Sequence, residues 1–186
     1  MMDNRMHEVE LTRDCAAVKV PWGSPITLDE GSVAQITQQL GGSYTVLVGG
    51  NLYRIDGSDA DALGLEPVAA EAGAAAEGPA TAESVEQAAW SQLATCYDPE
   101  IPIDIVNLGL VYSCVVKPIA EGRFRIDISM TLTAPGCGMG TLLADEARAK
   151  LLAIHGVDEV KVDLVWDPPW GREMISEAAR LEMGLF

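Results

Sequence analysis

The chain has 186 residues and is strongly acidic: 12 Lys and Arg against 28 Asp and Glu give a formal net charge of −16 at pH 7. The acidic excess is spread over both halves of the sequence, which carries no basic patch, so binding to nucleic acid or to an anionic membrane surface is not expected. Hydrophobic residues make up 48% of the chain, which argues against global disorder, and no run approaches the roughly 20 apolar residues of a membrane helix.

The N-terminal residues and the cysteines indicate the cellular compartment of the protein. Residues 1–14 alternate charged and apolar side chains and lack the hydrophobic stretch of a signal peptide, so a cytoplasmic protein is expected. The four cysteines, Cys15, Cys96, Cys114 and Cys137, form no CxxC pair or other spacing typical of a shared metal site. In a reducing compartment each is expected to be a free thiol.

Residues 1–66 predict a small β-rich module. A short apolar strand over residues 17–20 ends at a proline, and the sequence that follows, Trp-Gly-Ser-Pro, is typical of a turn. Strands over residues 44–48 and 51–55 flank two glycines, the spacing of a tight hairpin. Residues 33–40 fit either a helix or a strand, and the glycines after them favour the strand. No chemistry is expected here, because His7 and Cys15 stand alone.

Residues 67–82 read PVAAEAGAAAEGPATA and predict a linker. Eight of the sixteen residues are alanine, and Val68 is the largest apolar side chain among them. Such a segment buries too little apolar surface to offset the entropy lost on ordering. The sequence therefore predicts two modules of unequal size, 1–66 and 83–186.

Residues 83–186 predict an α+β domain. A capping-box pattern at Ser84 starts a helix that ends before Asp98-Pro99, because the residue preceding a proline avoids the helical region. The later elements are a strand over 110–117, a strand over 123–133, a helix over 141–155, a strand over 159–166 and a helix over 176–183. The order α-β-β-α-β-α predicts two layers, with the helices packed on the apolar face of one sheet.

The strand over residues 123–133 has the clearest alternation in the chain. Its apolar residues are Phe124, Ile126, Ile128, Met130 and Leu132, and polar residues, Thr131 among them, stand between them. Such alternation places one face in the core and the other in water, so Thr131 is expected on the wet face. In the strand over 159–166, Trp166 is expected on the same face as Val160, Val162 and Leu164.

Cys137 is the residue best suited to chemistry. It lies between Gly136 and Gly138, after the clearest strand and before a predicted helix. Glycines allow a sharp turn in which backbone N–H groups point at an anion, and a helix N-terminus lowers the pKa of a thiol. These features favour a reactive thiolate, either a metal ligand or a nucleophile. The structural alternative is a small buried thiol in a tight turn.

Other polar residues have weaker claims. Asp98 and Glu100 are two carboxylates in a proline-stiffened loop, where solvated acids are the simpler interpretation and metal ligation the functional one. Asp104 and Asn107 are expected to cap a turn before Gly109. The sequence contains no Walker loop, HExxH motif or Ser-His-Asp order, so nucleotide-driven or hydrolytic chemistry is not expected.

The remaining cysteines, the second histidine and two tryptophans have ordinary structural explanations. Cys96 and Cys114 lie on apolar stripes and are expected to be small buried side chains. His155 is placed to cap or neutralise a helix C-terminus. Trp166 and Trp170 flank a rigid Asp-Pro-Pro corner, where they either anchor the core or form a wall of the cysteine site.

Three segments resemble a known domain. They are DPEIPIDIVNLGLVY at 98–112, MTLTAPGCGMG at 130–140 and DPPWGREMISEAARLEMG at 167–184. In this order they resemble the iron–sulfur cluster assembly domain shared by PaaD-type proteins and cytosolic cluster-targeting factors. The β-rich extension, with GGSYTVLVGGNLYRI at 41–55, is similar to that of the SufT group, longer accessory proteins associated with the SUF cluster-assembly system.

The resemblance implies a non-enzymatic auxiliary or carrier factor in the maturation of iron–sulfur proteins. The cysteine of the family motif falls on Cys137, and its acidic loop falls on Asp98 and Glu100, which the resemblance makes candidate metal ligands. The implied cargo is iron or an iron–sulfur cluster, and the implied partners are SUF-type assembly proteins and apo iron–sulfur proteins. Many relatives have proline directly after the cysteine; Gly138 at that position predicts a more flexible loop.

The number of ligands limits what one chain does alone. A cluster normally takes four thiolate ligands, and Cys137 is the one convincing candidate in the sequence. We therefore expect transient ligation completed by a partner, a small thiol or a second subunit in a homodimer. Two alternatives stay open: an adaptor that acts through its acidic surface, and an enzyme with Cys137 as nucleophile. The enzyme is disfavoured because no histidine lies near Cys137 in the sequence.

Overall fold

A computed structural model describes residues 7–67, 79–98, 101–134 and 139–184. The chain divides into two compact units, Met1–Glu71 and Ala72–Phe186. Of the predicted linker, residues 68–78 lie outside the described residues, and its last position, Ala82, is the first residue of a helix. In the part of the chain that is described, no helix is long and apolar enough to cross a membrane.

The N-terminal unit contains one antiparallel sheet of six strands. They are β1 His7–Glu10, β2 Cys15–Lys19, β3 Ser24–Leu28, β4 Val33–Leu40, β5 Ser43–Val48 and β6 Asn51–Asp56. Their order in the sheet is β1-β4-β5-β6-β2-β3, and a 3-10 helix, Gly57–Leu63, follows β6. The predicted hairpin is confirmed, since Val48 pairs with Asn51 across two glycines of positive φ. The strand over residues 33–40 is confirmed as well.

The prediction for residues 24–25 was wrong. Ser24 and Pro25 belong to β3 instead of a turn, and Val18 is the partner of Pro25 in β2. A proline is tolerated there because β3 is at the edge of the sheet and needs ladder bonds on one side only. Four of the five β3 residues are exposed, so the sequence carries no alternation that would have revealed the strand.

The C-terminal unit has the predicted order α-β-β-α-β-α, and the α+β fold class is confirmed. Its elements are α1 Ala82–Leu93, β7 Val111–Ala120, β8 Arg123–Met130, α2 Met139–Leu152, β9 Val157–Leu164 and α3 Glu177–Glu182. The sheet has the order β7-β8-β9. Strand β8 is central, antiparallel to β7 and parallel to β9.

The core of this unit lies between the sheet and the helices. Strand β8 contributes Phe124, Ile126, Ile128 and Met130, all buried, as the alternation predicted. In the same cluster are Val85, Ala89 and Leu93 of α1 and Leu143, Ala147 and Leu151 of α2. The opposite face of β8 carries charges, where Asp127 accepts hydrogen bonds of 2.6 Å from both Lys117 and Arg125. Hydrophobic burial on one face and water on the other fix the orientation of the strand.

Two element boundaries differ from the prediction for reasons of capping. Helix α1 begins after Thr81, whose hydroxyl accepts from the Ser84 amide at 3.1 Å while the Ser84 hydroxyl accepts from the Thr81 amide at 3.0 Å. Ser84 is thus the third helical residue and not the cap. Helix α2 ends at Leu152, so His155 lies beyond it, exposed to solvent.

Thr131 and Trp166 do not lie on the strand faces that the sequence patterns predicted. Strand β8 ends at Met130, and Thr131, expected in water, is only 1% exposed. Strand β9 ends at Leu164, and Trp166, expected on the face of Val160, lies beyond the strand and is 45% exposed. Side chains alternate between the two faces of a sheet only where the strand is paired. The burial of Thr131 and the exposure of Trp166 are therefore set by the loops that follow β8 and β9.

Candidate functional site

The carboxyl end of β8 is where several segments of the domain meet. The Met130 carbonyl accepts a hydrogen bond of 2.8 Å from the amide of Val165, which directly follows β9. The Thr131 amide donates at 2.8 Å to the carbonyl of Leu110, directly before β7. In parallel pairs such strand ends carry the functional loops. We call this region, made of Leu110, Thr131, Leu132, Gly140 and Val165, the sheet edge.

The described residues on the two sides of Cys137 in the sequence meet at the sheet edge. Leu132 is buried and lies against Gly140 in the first turn of α2. A Cβ atom built on Gly140 would lie 2.1 Å from Leu132 Cδ1, so glycine is what allows this contact. The strand end and the helix start are therefore packed together at the base of the loop.

Four of the predicted site residues lie in segments that the structure does not describe. Gly136, Cys137 and Gly138, and also Glu100 of the acidic loop, lie outside the described residues. Asp98 is described: it is partly buried, and one of its carboxylate oxygens accepts from the Ile101 amide at 3.1 Å. That bond gives Asp98 a structural role in shaping its own loop.

Thr131 is the residue at the sheet edge that sequence reasoning missed. Its side chain is buried, and within the described part of the chain its hydroxyl is the one buried side-chain oxygen or nitrogen without a hydrogen-bond partner. Buried hydroxyls are nearly always hydrogen-bonded, so an unpaired one calls for an explanation. No sequence signal marks it, because a threonine that continues an alternating strand pattern is ordinarily on the solvent-exposed face.

The acidic segment after Asp98 is held by a dense set of hydrogen bonds. The Asp104 carboxylate accepts from the amides of Val106 and Asn107 at 3.0 and 2.9 Å, and from Asn107 Nδ2 at 2.7 Å. The capping role predicted for Asp104 is confirmed. Asn107 also accepts, through Oδ1, a bond of 2.8 Å from the Ser176 hydroxyl, which caps α3. This link to the last helix could not be predicted from spacing.

Residues 107–112 and 168–176 are joined by further contacts. The Tyr112 hydroxyl donates to the Pro168 carbonyl at 2.7 Å, and Trp170 Nε1 donates to the Leu108 carbonyl at 2.8 Å. We call these two segments, with Asp104, the clamp. Trp170 thus anchors the core, as one of its two predicted roles required. Leu110 belongs to both the clamp and the sheet edge, and its hydrogen bond with Thr131 joins the two. Described residues of all three motifs noted in the sequence therefore meet in the fold.

The described cysteines are poor ligands. Cys15 and Cys96 are fully buried, and burial raises the pKa of the Cys15 thiol. Burial, with a smaller contribution from Glu86, raises the pKa of Cys114 to about 11. The interpretation of Cys96 as a small buried side chain is confirmed, and Cys114 packs partly buried against the same core. A raised pKa keeps Cys15 and Cys114 in the thiol form, whereas metal ligation needs a thiolate.

No metal centre is formed by these side chains alone. Within residues 7–67, 79–98, 101–134 and 139–184, no group of three His, Cys, Asp or Glu side chains is arranged to hold a metal ion. A multi-ligand site of the zinc or ferredoxin type is therefore absent from the described residues.

Comparisons with known proteins show which family the C-terminal unit matches. Residues 86–163 match the family model described as iron-sulfur cluster assembly protein. An Fe-S protein maturation auxiliary factor of Porphyromonas gingivalis (strain ATCC BAA-308 / W83) is 42% identical over 92 residues, which are 50% of this chain and 84% of that protein. The Fe-S protein maturation auxiliary factor SufT of Staphylococcus aureus (strain USA300) is 43% identical over 88 residues, 47% of this chain and 96% of that protein.

A solved structure agrees with these relatives. A crystal structure of a domain of unknown function, DUF59, from Bacillus anthracis is 33% identical in sequence and superposes with a TM-score of 0.50, covering 56% of this chain and 95% of that one. Both named relatives are called auxiliary factors of Fe-S protein maturation, the role that the resemblance implied. On this evidence the chain belongs to the iron–sulfur cluster assembly protein family.

Proposed function

We propose that the protein is an auxiliary factor in the maturation of iron–sulfur proteins. In this proposal it binds iron or a labile cluster through Cys137 and helps to transfer it to apoproteins. Membership of the assembly family carries the general role. The choice of Cys137 as the ligand comes from the sequence pattern of glycine, cysteine and glycine ahead of a helix.

The other cysteines support this choice by exclusion. Cys15 and Cys96 are buried, and the pKa of Cys114 is raised to about 11. A thiol with such a pKa is almost entirely protonated at pH 7 and is a weak ligand. Of the four thiols in the sequence, Cys137 is the one that none of these observations disqualifies.

Shared ligation follows from the number of suitable cysteine ligands in one chain. A cluster takes four ligands, and a single thiolate from each chain leaves positions for a second subunit, a partner or a small thiol. Incomplete ligation suits a carrier, because the cargo must leave as readily as it binds. We propose that Asp98 and Glu100 serve as additional oxygen ligands when iron binds without sulfide.

The charge of the chain supports protein partners for this transfer. A net charge of −16 repels nucleic acid and anionic lipid and favours encounters with basic protein surfaces. We propose that SUF-type assembly proteins and apo iron–sulfur proteins in the cytoplasm are these partners.

Anaerobic reconstitution of the full chain with iron and sulfide tests the ligand. We expect the wild type to retain iron at less than one cluster per chain after desalting, and Cys137→Ala to lose nearly all of it. Cys114→Ala is the matched control, since it removes a thiol of the same domain whose pKa is too high for ligation. Iron and sulfide analysis, together with the visible absorbance of iron–sulfur charge transfer, provides the readout.

Two outcomes contradict the proposal at different levels. Full iron retention by Cys137→Ala removes the cysteine from the site. Loss of iron together with normal maturation of target enzymes in cells that carry only Cys137→Ser shows instead that the protein acts as an adaptor, and that the carried metal is not needed.

A further inference from the structure

The last strand of the C-terminal sheet, β9, has an open side. In the described sheet, β9 pairs with β8 alone. The amide of Val165, directly after β9, donates to the Met130 carbonyl of β8. Backbone groups of alternate residues in a strand point the same way, so those of Val160, Val162 and Leu164 point away from β8. Such a row of backbone donors and acceptors is a template for another strand.

The other outer strand of this sheet, β7, is protected against pairing, and β9 is not. Strand β7 contains Pro118, which has no N–H to donate, and its register with β8 shifts near both of its ends. Prolines and bulges of this kind keep outer strands from pairing with other chains. By contrast, β9 has no proline or glycine and keeps an unbroken register with β8 from Glu159 to Leu164. The fold therefore leaves β9 available for a further strand.

The sequence of β9 is complementary to itself in one antiparallel register, which places Val162 opposite the partner's Val162. Val160 then lies opposite the partner's Leu164. These apolar pairs are the hydrogen-bonded ones, since their backbone groups point outward. Lys161 lies opposite the partner's Asp163, in the closer positions without backbone hydrogen bonds, where side chains interact directly. Apolar residues thus oppose apolar residues, and opposite charges meet.

Neighbouring registers of β9 against itself are less favourable. One shift places Lys161 opposite the partner's Lys161. The same shift sets Glu159 opposite the partner's Asp163, and like charges directly opposite each other destabilise a sheet. The next shift puts Val162 opposite the partner's Asp158. Shifts that exchange the two faces would set apolar residues against charged ones. Charge and apolar pattern together therefore select the register centred on Val162.

The side chains of the sheet suit a second copy of this acidic chain. Val162 and Leu164 are only partly buried against the core, and a further strand would cover more of them. The three strands carry as many cations as anions, namely Lys117, Arg123, Arg125 and Lys161 against Asp127, Asp158, Glu159 and Asp163. Two chains of net charge −16 therefore meet at a region that is itself neutral.

We propose that β9 pairs with β9 of a second copy, antiparallel and in the register centred on Val162. The pairing joins two three-stranded sheets around a two-fold axis, so the same residues are buried in both copies. The inference does not rest on the proposed function, because Cys137 takes no part in it. One pair of short strands buries less than the roughly 1,200 Å² of a stable interface. We therefore expect a weak dimer, with a Kd of about 0.1 mM.

Sedimentation equilibrium of the full chain from about 10 μM to about 1 mM measures the dimer. Lys161→Asp sets an aspartate against the partner's Asp163 at two symmetry-related positions, and should weaken dimerisation about tenfold or more. Lys117→Asp is the matched control, since it makes the same change in net charge on β7 and should leave the Kd unchanged. Both lysines are exposed, so neither variant should unfold. Lys161→Asp combined with Asp163→Lys restores opposite charges in the same register and should restore the dimer.

Disulfide cross-linking tests the register directly. In a Cys137→Ala background, Val162→Cys places two thiols opposite each other across the two-fold axis, where Cα atoms about 5.5 Å apart suit a disulfide. We expect mild oxidation to give a covalent dimer. Val115→Cys is the control, because Val115 is 45% exposed on the protected strand β7, and this variant should remain largely monomeric.

Three results would overturn the inference. A wild type that stays monomeric at about 1 mM shows that β9 does not pair with itself. Equal Kd values for Lys161→Asp and Lys117→Asp mean that the dimer forms through another surface. Cross-linking of Val115→Cys as fast as that of Val162→Cys excludes the proposed register. None of these results changes the iron content of Cys137→Ala, so the proposed function is tested separately.

Discussion

The clamp and the sheet edge are neighbours in one domain, but they differ in how their polar side chains are hydrogen-bonded. Asp104 accepts three hydrogen bonds and Asn107 is bonded through both ends of its amide. Thr131, one hydrogen bond away through Leu110, has a buried hydroxyl with no partner in the described part of the chain. A fully paired network stabilises and rigidifies, whereas an unpaired group is a cost that a binding partner can remove.

The difference separates a fully hydrogen-bonded clamp from an edge that holds one unpaired hydroxyl. The clamp joins distant parts of the sequence, as in the bond between Tyr112 and Pro168, and every contact named in it is complete without a ligand. At the sheet edge, Leu132 packs against Gly140, and the Thr131 hydroxyl is a hydrogen-bond donor without an acceptor among the described residues. Substitutions of paired groups in the clamp should therefore lower stability, and removal of the unpaired Thr131 hydroxyl should not.

The largest effect is expected at Gly109 in the clamp. Its φ is +71°, and a Cβ there would lie 2.3 Å from the Met174 carbonyl oxygen, a backbone atom that cannot rotate away. Gly109→Ala should lower the free energy of unfolding of the C-terminal unit by about 3 kcal/mol or more, through backbone strain and the clash together.

Gly122→Ala is the control for Gly109→Ala. Gly122 has nearly the same φ, +67°, but nothing within 4 Å of the added Cβ, so the cost should be about 1 kcal/mol from strain alone. Urea unfolding is followed by tryptophan fluorescence in a Trp22→Phe background, since the other three tryptophans are in the C-terminal unit. Equal costs at the two glycines would show that the two segments of the clamp are not held together at Gly109 and Met174.

A smaller loss is expected at Asp104. Asp104→Ala leaves the amides of Val106 and Asn107 without their acceptor in a partly buried turn, which should cost about 2 kcal/mol. The comparison with Thr131→Val is direct: removing a paired group should destabilise, and removing the unpaired one should not. The same urea experiment measures both. A stability loss at Thr131 as large as that at Asp104 would abolish the distinction between clamp and edge.

The elements of the C-terminal unit were predictable because each carries a strong local pattern. In β8 the buried residues from Phe124 to Met130 alternate without a break, and in α2 the stripe of Leu143, Ala147 and Leu151 matches the helical period. Both patterns come from burial of one face. The turn capped by Asp104 was also predictable, since an aspartate bonds to amides two and three residues ahead.

The contacts that build the clamp and the edge could not be predicted. Gly109 gave no sign of the close approach of Met174, and Asn107 none of its bond to Ser176, because both depend on where a segment nearly 70 residues away packs. Thr131 was placed on the wrong face because strand alternation was extended past the last ladder bond. Long-range geometry of this kind is not encoded in spacing.

The smallest effect is expected on the charged face of β8, which belongs to neither region. Hydrogen bonds from Lys117 and Arg125 lower the pKa of the Asp127 carboxyl below its ordinary value. A lowered pKa in the folded state means that the stabilisation is present above the unfolded pKa of about 4 and is lost as pH falls through the folded pKa. Asp127→Asn should therefore lose less stability than the wild type between about pH 5 and pH 3.

The measurement is urea unfolding of both proteins across this pH range, at low salt and at about 1 M NaCl. Because the three side chains are solvent-accessible, salt should screen the pairs and bring the two pH slopes together. Identical slopes at low salt would mean that these ion pairs do not contribute to acid stability.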